Sequence, residues 1–122
     1  MINKDKEVGG THYADMKIEP IELICALDLS FIQGSIIKYV SRYKNKNGVE
    51  DLNKALHYCT IGLKDIPSPE RKKWYLDRSA YLCIQEYCIL NEFNSIIETA
   101  ITNCCTGDYL SCANEIKRLI EE

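Results

Sequence analysis

The chain reads as an all-α protein, predominantly helical with about six helices, in a single domain spanning residues 1–122. Three observations predict this. Apolar residues recur three and four positions apart in at least four segments. No segment shows sustained period-two alternation. Break signals at Asn47-Gly48, Pro67/Pro69 and Gly107 cut the chain into helix-length pieces. With 122 residues, the chain is long enough to bury about two thirds of its unfolded surface without staples. An apolar share of 46% against 27% charged excludes the low-hydrophobicity disordered class.

Residues 1–18 are expected to form an arm, with Gly9-Gly10 as a joint and a short extended pairing open to it. A first helix begins near Glu19 and runs to about Leu29. Pro20 suits the first helical position, where its missing N–H costs nothing. Ile21, Ile24, Cys25 and Leu27 fall near helical spacing. Ser30 is the N-cap of a second helix ending near Lys44, with Phe31, Ile32, Ile36, Tyr39, Val40 and Tyr43 as one buried stripe. Gly34 inside it costs roughly 1 kcal/mol against Ala, which predicts close approach of another backbone or a ligand. A third helix covers about Val49 to Lys64, its core face made by Leu52, Leu56, Cys59 and Leu63. Ile66-Pro67-Ser68-Pro69 breaks it, since each proline lacks a donor and restrains the residue before it. The remaining helices are expected at about Glu70 to Leu90 (carrying Trp74, Leu76, Tyr81, Ile84, Tyr87 and Cys88), Glu92 to Asn103, and Asp108 to the end. Residues 19–64 thus form one helical core and 65–122 a C-terminal helical set.

No apolar run reaches the roughly 18–20 residues that span a bilayer, and the polar N-terminus has no secretory character, so a cytoplasmic protein without membrane contact is expected. The seven cysteines are odd in number and form no C-x-x-C pair. His12 and His57 stand at no finger-like spacing from them, so buried free thiols are expected rather than zinc. The net charge of -3 is segregated. Residues 35–73 carry nine Lys/Arg against four acids, while the segments on either side are acidic. That is too weak for a DNA or RNA binder, and enough for a small anionic ligand or for contacts between subunits. Eight tyrosines, one tryptophan and seven cysteines also exceed what one small core absorbs, which predicts a homo-oligomer.

Neither G-x-x-x-x-G-K-[ST], nor G-x-G-x-x-G, nor G-x-S-x-G occurs. Glu19-x-x-Glu22 has the spacing of half a magnesium site of the helical pyrophosphatase kind. The second half fails, because Glu50 is followed three positions on by Asn53 and Asp51 by Lys54. Two acids at a helix start also suit the helix dipole. No metal site is therefore expected. A more informative constellation is Lys38, Arg42 and Lys54 with His12, Tyr13, Tyr39, Tyr43 and Tyr58. Lys38 and Arg42 share a helix face at i,i+4, Arg offers phosphate a bidentate fork, and tyrosines stack on bases. The plain alternative is a solvated cationic face beside partly buried tyrosines.

The stretch from Gly9 to Leu63 carries H-Y, I-E-P-I-E, G-x-I-I-K-Y-x-x-R, K-N-G and E-D-L-x-K-A-x-x-Y. It resembles a small phage-encoded family. Its members are described as uncharacterised phage proteins or phage nucleotide kinases, among them a coliphage nucleoside monophosphate kinase without a recognisable nucleotide-binding loop. The resemblance makes His12, Tyr13, Lys38, Arg42, Asp51 and Lys54 the motif positions, without assigning their roles, and it implies a setting in the bacterial host cytosol. Two functions follow. One is a non-catalytic nucleotide sponge that sequesters a host immune signal, of the cyclic nucleotide or cyclic ADP-ribose type, and needs no cofactor. The other is a nucleoside monophosphate kinase using ATP and Mg²⁺, with Asp51 holding the metal or activating the acceptor. Under either, Arg42→Ala is expected to weaken nucleotide binding and to leave the fold intact.

Overall fold

The computed structural model describes residues 16–64 and 76–122. Among the described residues, six α-helices make an all-α fold. The first, α1 (Pro20–Ala26), starts as expected with Pro20 in the first turn. Glu22 is not a metal ligand waiting for a partner: its carboxylate accepts from the Glu19 N–H at 2.7 Å, closing a capping box. The core side of α1 is formed by Pro20 and Leu23, while Ile21 and Cys25 face solvent. The expected face was therefore rotated, because one short helix offers too few apolar positions to fix its own orientation.

Ser30 caps α2 (Phe31–Arg42), accepting from the Gln33 N–H at 3.1 Å, and the Gln33 side chain accepts from the Ser30 N–H at 3.0 Å. A 3-10 turn at Tyr43–Asn45 and Gly48 at φ 58° then reverse the chain into α3 (Val49–Leu63). The left-handed backbone at Gly48 is where a glycine costs no Cβ strain.

The C-terminal helices are α4 (Arg78–Leu90), α5 (Ser95–Cys105) and α6 (Tyr109–Glu121). Their N-caps Asp77, Asn94 and Asp108 accept from the Ala80, Ile97 and Ser111 N–H groups at 2.8, 2.9 and 3.1 Å. These caps stop α4 and α5 from starting at Glu70 and Glu92. Asp77 is extended, so α4 begins at Arg78, and the expected helical residues 70–75, with Trp74, lie outside the described residues. Of the N-terminal arm, only residues 16–18 are described, and they are bent or irregular. Asn91 ties this piece to the end of α4: its Oδ1 accepts from the Lys17 and Ile18 N–H groups at 3.0 and 3.4 Å, and its Nδ2 donates to the Ile18 carbonyl at 2.8 Å.

The core joins both halves of the chain, with α3 packed on α6, α2 on α5 and α5 on α6. Leu23, Ile36, Ile37, Leu52, Ile84, Tyr87, Ile97, Ile101 and Ile116 are almost fully buried in it. On α3 the buried row is Leu52, Ala55, Cys59 and Gly62, while Leu63 is exposed and Leu56 half-buried. The expected row through Leu56 and Leu63 gave way because Tyr109 of α6 lies flat against Gly62. A Cβ on Gly62 would stand 2.6 Å from the Tyr109 ring. Gly34 likewise makes room, but for the Ile24 side chain of α1, 3.3 Å from a Cβ built there, rather than for a backbone or ligand.

All seven cysteines are free thiols and five are buried. The thiols of Cys59, Cys112 and Cys104 form a row across α3, α6 and α5. It ends where the Cys104 thiol donates to the Gln33 carbonyl at 3.4 Å. Among the described residues, no group of three His, Cys, Asp or Glu is placed to hold a metal ion, and no helix is long and apolar enough to cross a membrane.

Candidate functional site

The α2–turn–α3 hairpin runs antiparallel and sets Tyr39 opposite Lys54 and Tyr58. Tyr39 then becomes the centre of a cationic cluster. Lys38 Nζ lies 5.0 Å, Arg42 Cζ 4.8 Å and Lys54 Nζ 5.5 Å from its ring centroid. These are cation–π distances. Tyr58 stacks on Tyr39 at 6.1 Å with 19° between the ring planes. His57 and Phe31 both meet Tyr58 edge-on, each at 6.0 Å. An open cavity of about 380 Å³ lies here, lined by Tyr39, Glu50, Asn53, Lys54, His57 and Tyr58. Lys38 also borders a smaller apolar notch of about 160 Å³ made with Glu19, Pro20, Ile21 and Ile24.

Four of the six residues singled out from the sequence therefore meet in one place: Lys38, Arg42, Asp51 and Lys54. His12 and Tyr13 lie outside the described residues. Tyr43, also part of the expected constellation, has other neighbours. Lys44 Nζ stands 5.9 Å from its ring, and burial and then the charge of Glu122 raise its hydroxyl pKa.

Arg42 is not on a solvated face. It is 7% exposed, and Asp51 is fully buried. Arg42 Nε donates to Asp51 Oδ2 at 3.3 Å and Nη2 to Oδ1 at 3.4 Å, so one edge of the guanidinium fork faces this carboxylate. Asp51 also accepts from the Asn47 N–H at 3.4 Å and stands 4.0 Å from Lys54 Nζ. Lys54 reaches Glu50 at 3.7 Å. The Arg42–Asp51 pair locks α2 to α3 directly beneath Tyr39. Arg42→Ala would leave Asp51 as a buried, weakly compensated charge, so the expectation that this truncation spares the fold is corrected. Burial also keeps the Asp51 carboxylate from an incoming metal or acceptor hydroxyl in this conformation.

The Lys54 side chain is 40% exposed and lines the cavity, while Lys38 is half-buried and lines the notch beside α1. Phe31 was expected in the buried stripe of α2 and is instead 76% exposed. His57 and Asn53 were not assigned to the site from the sequence. His57 stands three places after Lys54 and four after Asn53 on α3, which was a signal, since i,i+3 and i,i+4 positions share a helix face.

Residues 8–60 match the model of DUF3310, a family described as proteins of unknown function. The matched span includes α1, α2 and most of α3, and hence every described residue of the cluster. No curated protein and no solved structure matches the chain.

Proposed function

We propose that the chain is a nucleotide-binding protein that holds its ligand at the Tyr39 cluster without converting it. A setting that fits is a phage protein in the bacterial host cytosol, where a homo-oligomer sequesters a cyclic nucleotide or cyclic ADP-ribose-type immune signal. The observation that supports this reading is the stacked Tyr39–Tyr58 pair beside an open cavity lined by Lys54, with Lys38 Nζ 5.0 Å from the Tyr39 ring centroid. Aromatic faces serve a base, and ammonium groups serve phosphate. Arg42 contributes mainly by holding Tyr39 and the α2–α3 seam in place.

The kinase reading asks Asp51 to serve a metal or an acceptor. Its burial against Arg42 counts against that role and favours holding over transfer. One experiment separates the two. The purified chain is incubated with nucleoside monophosphates plus ATP and Mg²⁺, and separately with cyclic signalling nucleotides, then heat-denatured. Recovery of intact cyclic nucleotide from the denatured protein supports the sponge. Appearance of nucleoside diphosphate in the first arm supports the kinase. Neither retention nor conversion in either arm rejects nucleotide binding.

A further inference from the structure

Phe31 has the most exposed large apolar side chain among the described residues. The α2 start does not need it: Ser30 and Gln33 satisfy each other's N–H groups, and the core contacts begin at Ile32. Its ring is nevertheless held in place, edge-on to Tyr58 at 72°, while Tyr58 lies nearly parallel to Tyr39. The three rings make one row, from an exposed face at Phe31 to the cation-ringed face at Tyr39. His57 flanks the middle ring at 68°. An aromatic surface at one end and ammonium groups at the other match the two ends of a nucleotide.

We infer that Phe31 is the base-stacking, specificity-determining residue of this site, and that the site takes phosphates bearing a purine in preference to a pyrimidine or to no base. The inference rests on the nucleotide reading above and adds the residue and the selectivity. Stacking needs a π-face and no particular hydrogen-bond pattern, so it separates ligands by the presence and size of the base. Lys38 and Lys54 act as point charges on the phosphate and are indifferent to the base.

The test measures affinities of the full chain for adenosine monophosphate, cytidine monophosphate and ribose 5-phosphate by calorimetry, for the parent, Phe31→Ser, Phe31→Tyr and Lys54→Ala. The parent is expected to prefer them in that order. Phe31→Ser should weaken adenosine monophosphate about tenfold and leave ribose 5-phosphate unchanged. Phe31→Tyr should retain the preference, and Lys54→Ala should weaken all three. Circular dichroism of Phe31→Ser should match the parent, because the side chain is exposed. If Phe31→Ser binds adenosine monophosphate like the parent while Lys54→Ala loses it, nucleotide binding stands and the role of Phe31 is overturned. A fall in light-scattering mass with unchanged affinity also overturns it, placing Phe31 at a contact between chains. If the parent binds neither monophosphate, this inference is overturned, while the nucleotide reading itself is decided by the cyclic-nucleotide arm above.

Discussion

The seam between α2 and α3 buries charge, in the Arg42–Asp51 pair, and on its α4 side α2 buries a hydroxyl contact, Ser41 Oγ to the Tyr87 hydroxyl at 2.6 Å. Where α6 packs on α3 and α5, the contacts are apolar side chains, a tyrosine ring on a glycine, and thiols. The α6 side is a packing solution, in which shape decides. The α2–α3 side holds a charged pair that similarly sized apolar residues could replace at little cost or with a gain in stability. This pair also touches the aromatic and cationic cluster, with Arg42 Cζ 4.8 Å from the Tyr39 ring centroid.

The largest effect that tests this contrast is on the ion pair. Asp51→Ala or Arg42→Ala should destabilise the protein by about 3–5 kcal/mol, since each removes one side of the buried Arg42–Asp51 pair. The double replacement Arg42→Met/Asp51→Leu should recover most of that loss. Urea midpoints of the four proteins measure it, and a double replacement no more stable than the singles would show that the pair is not separable from the packing around it.

On the thiol side the corresponding probe is pH. Burial pushes the Cys88 and Cys105 thiols from an ordinary value near 9 up to about 12. The folded state therefore keeps its protons where the unfolded state releases them. Stability from these groups is complete below pH 9 and is lost progressively as pH rises to about 12, by about 1.4 kcal/mol per thiol per pH unit. Melting temperatures at pH 7, 9 and 10.5 should be level across the first interval and fall across the second. Cys105→Ala should flatten that fall.

Packing tightness comes next. Gly62→Ala should cost about 1–3 kcal/mol, because a buried ring must shift to admit the methyl group. Gly34→Ala meets only the flexible tip of Ile24 and gains helix propensity, so it should range from neutral to about 1 kcal/mol more stable. Equal losses at the two glycines would erase the difference between the seams. The smallest effect is Lys54→Ala, expected within about 0.5 kcal/mol of the parent because its ion pairs are exposed or long. A denaturation curve well below the parent's would make Lys54 structural.

Local chemistry was legible where it involves neighbours in sequence. Ser30 announces the start of α2, Pro20 that of α1, and Asn47-Gly48 the reversal between α2 and α3. Helix faces were less so. The α3 pattern fits a row through Leu56 and Leu63 as well as one through Ala55 and Gly62, and only the arrival of Tyr109 from α6 selects the second. The cluster was legible as residue types, and Lys38, Arg42, Asp51 and Lys54 do converge. Which of two cations on one helix face is buried was not, because that depends on Asp51, nine positions away across a turn. Phe31 was misplaced for a related reason. An aromatic at helical spacing reads as core unless its neighbouring helix leaves the ring uncovered.

The row of reduced thiols has an experimental consequence. Cys59, Cys88, Cys104, Cys105 and Cys112 are distributed over α3, α4, α5 and α6, and all are buried, while Cys25 is exposed and Cys83 partly so. A thiol-alkylating reagent should label Cys25 rapidly and Cys83 more slowly. Each of the other five should react only as fast as its helix opens. Mass spectrometry of a labelling time course would then read out, helix by helix, the order in which the bundle breathes. Helices α3, α4, α5 and α6 already carry these buried reporters, with no probe to introduce.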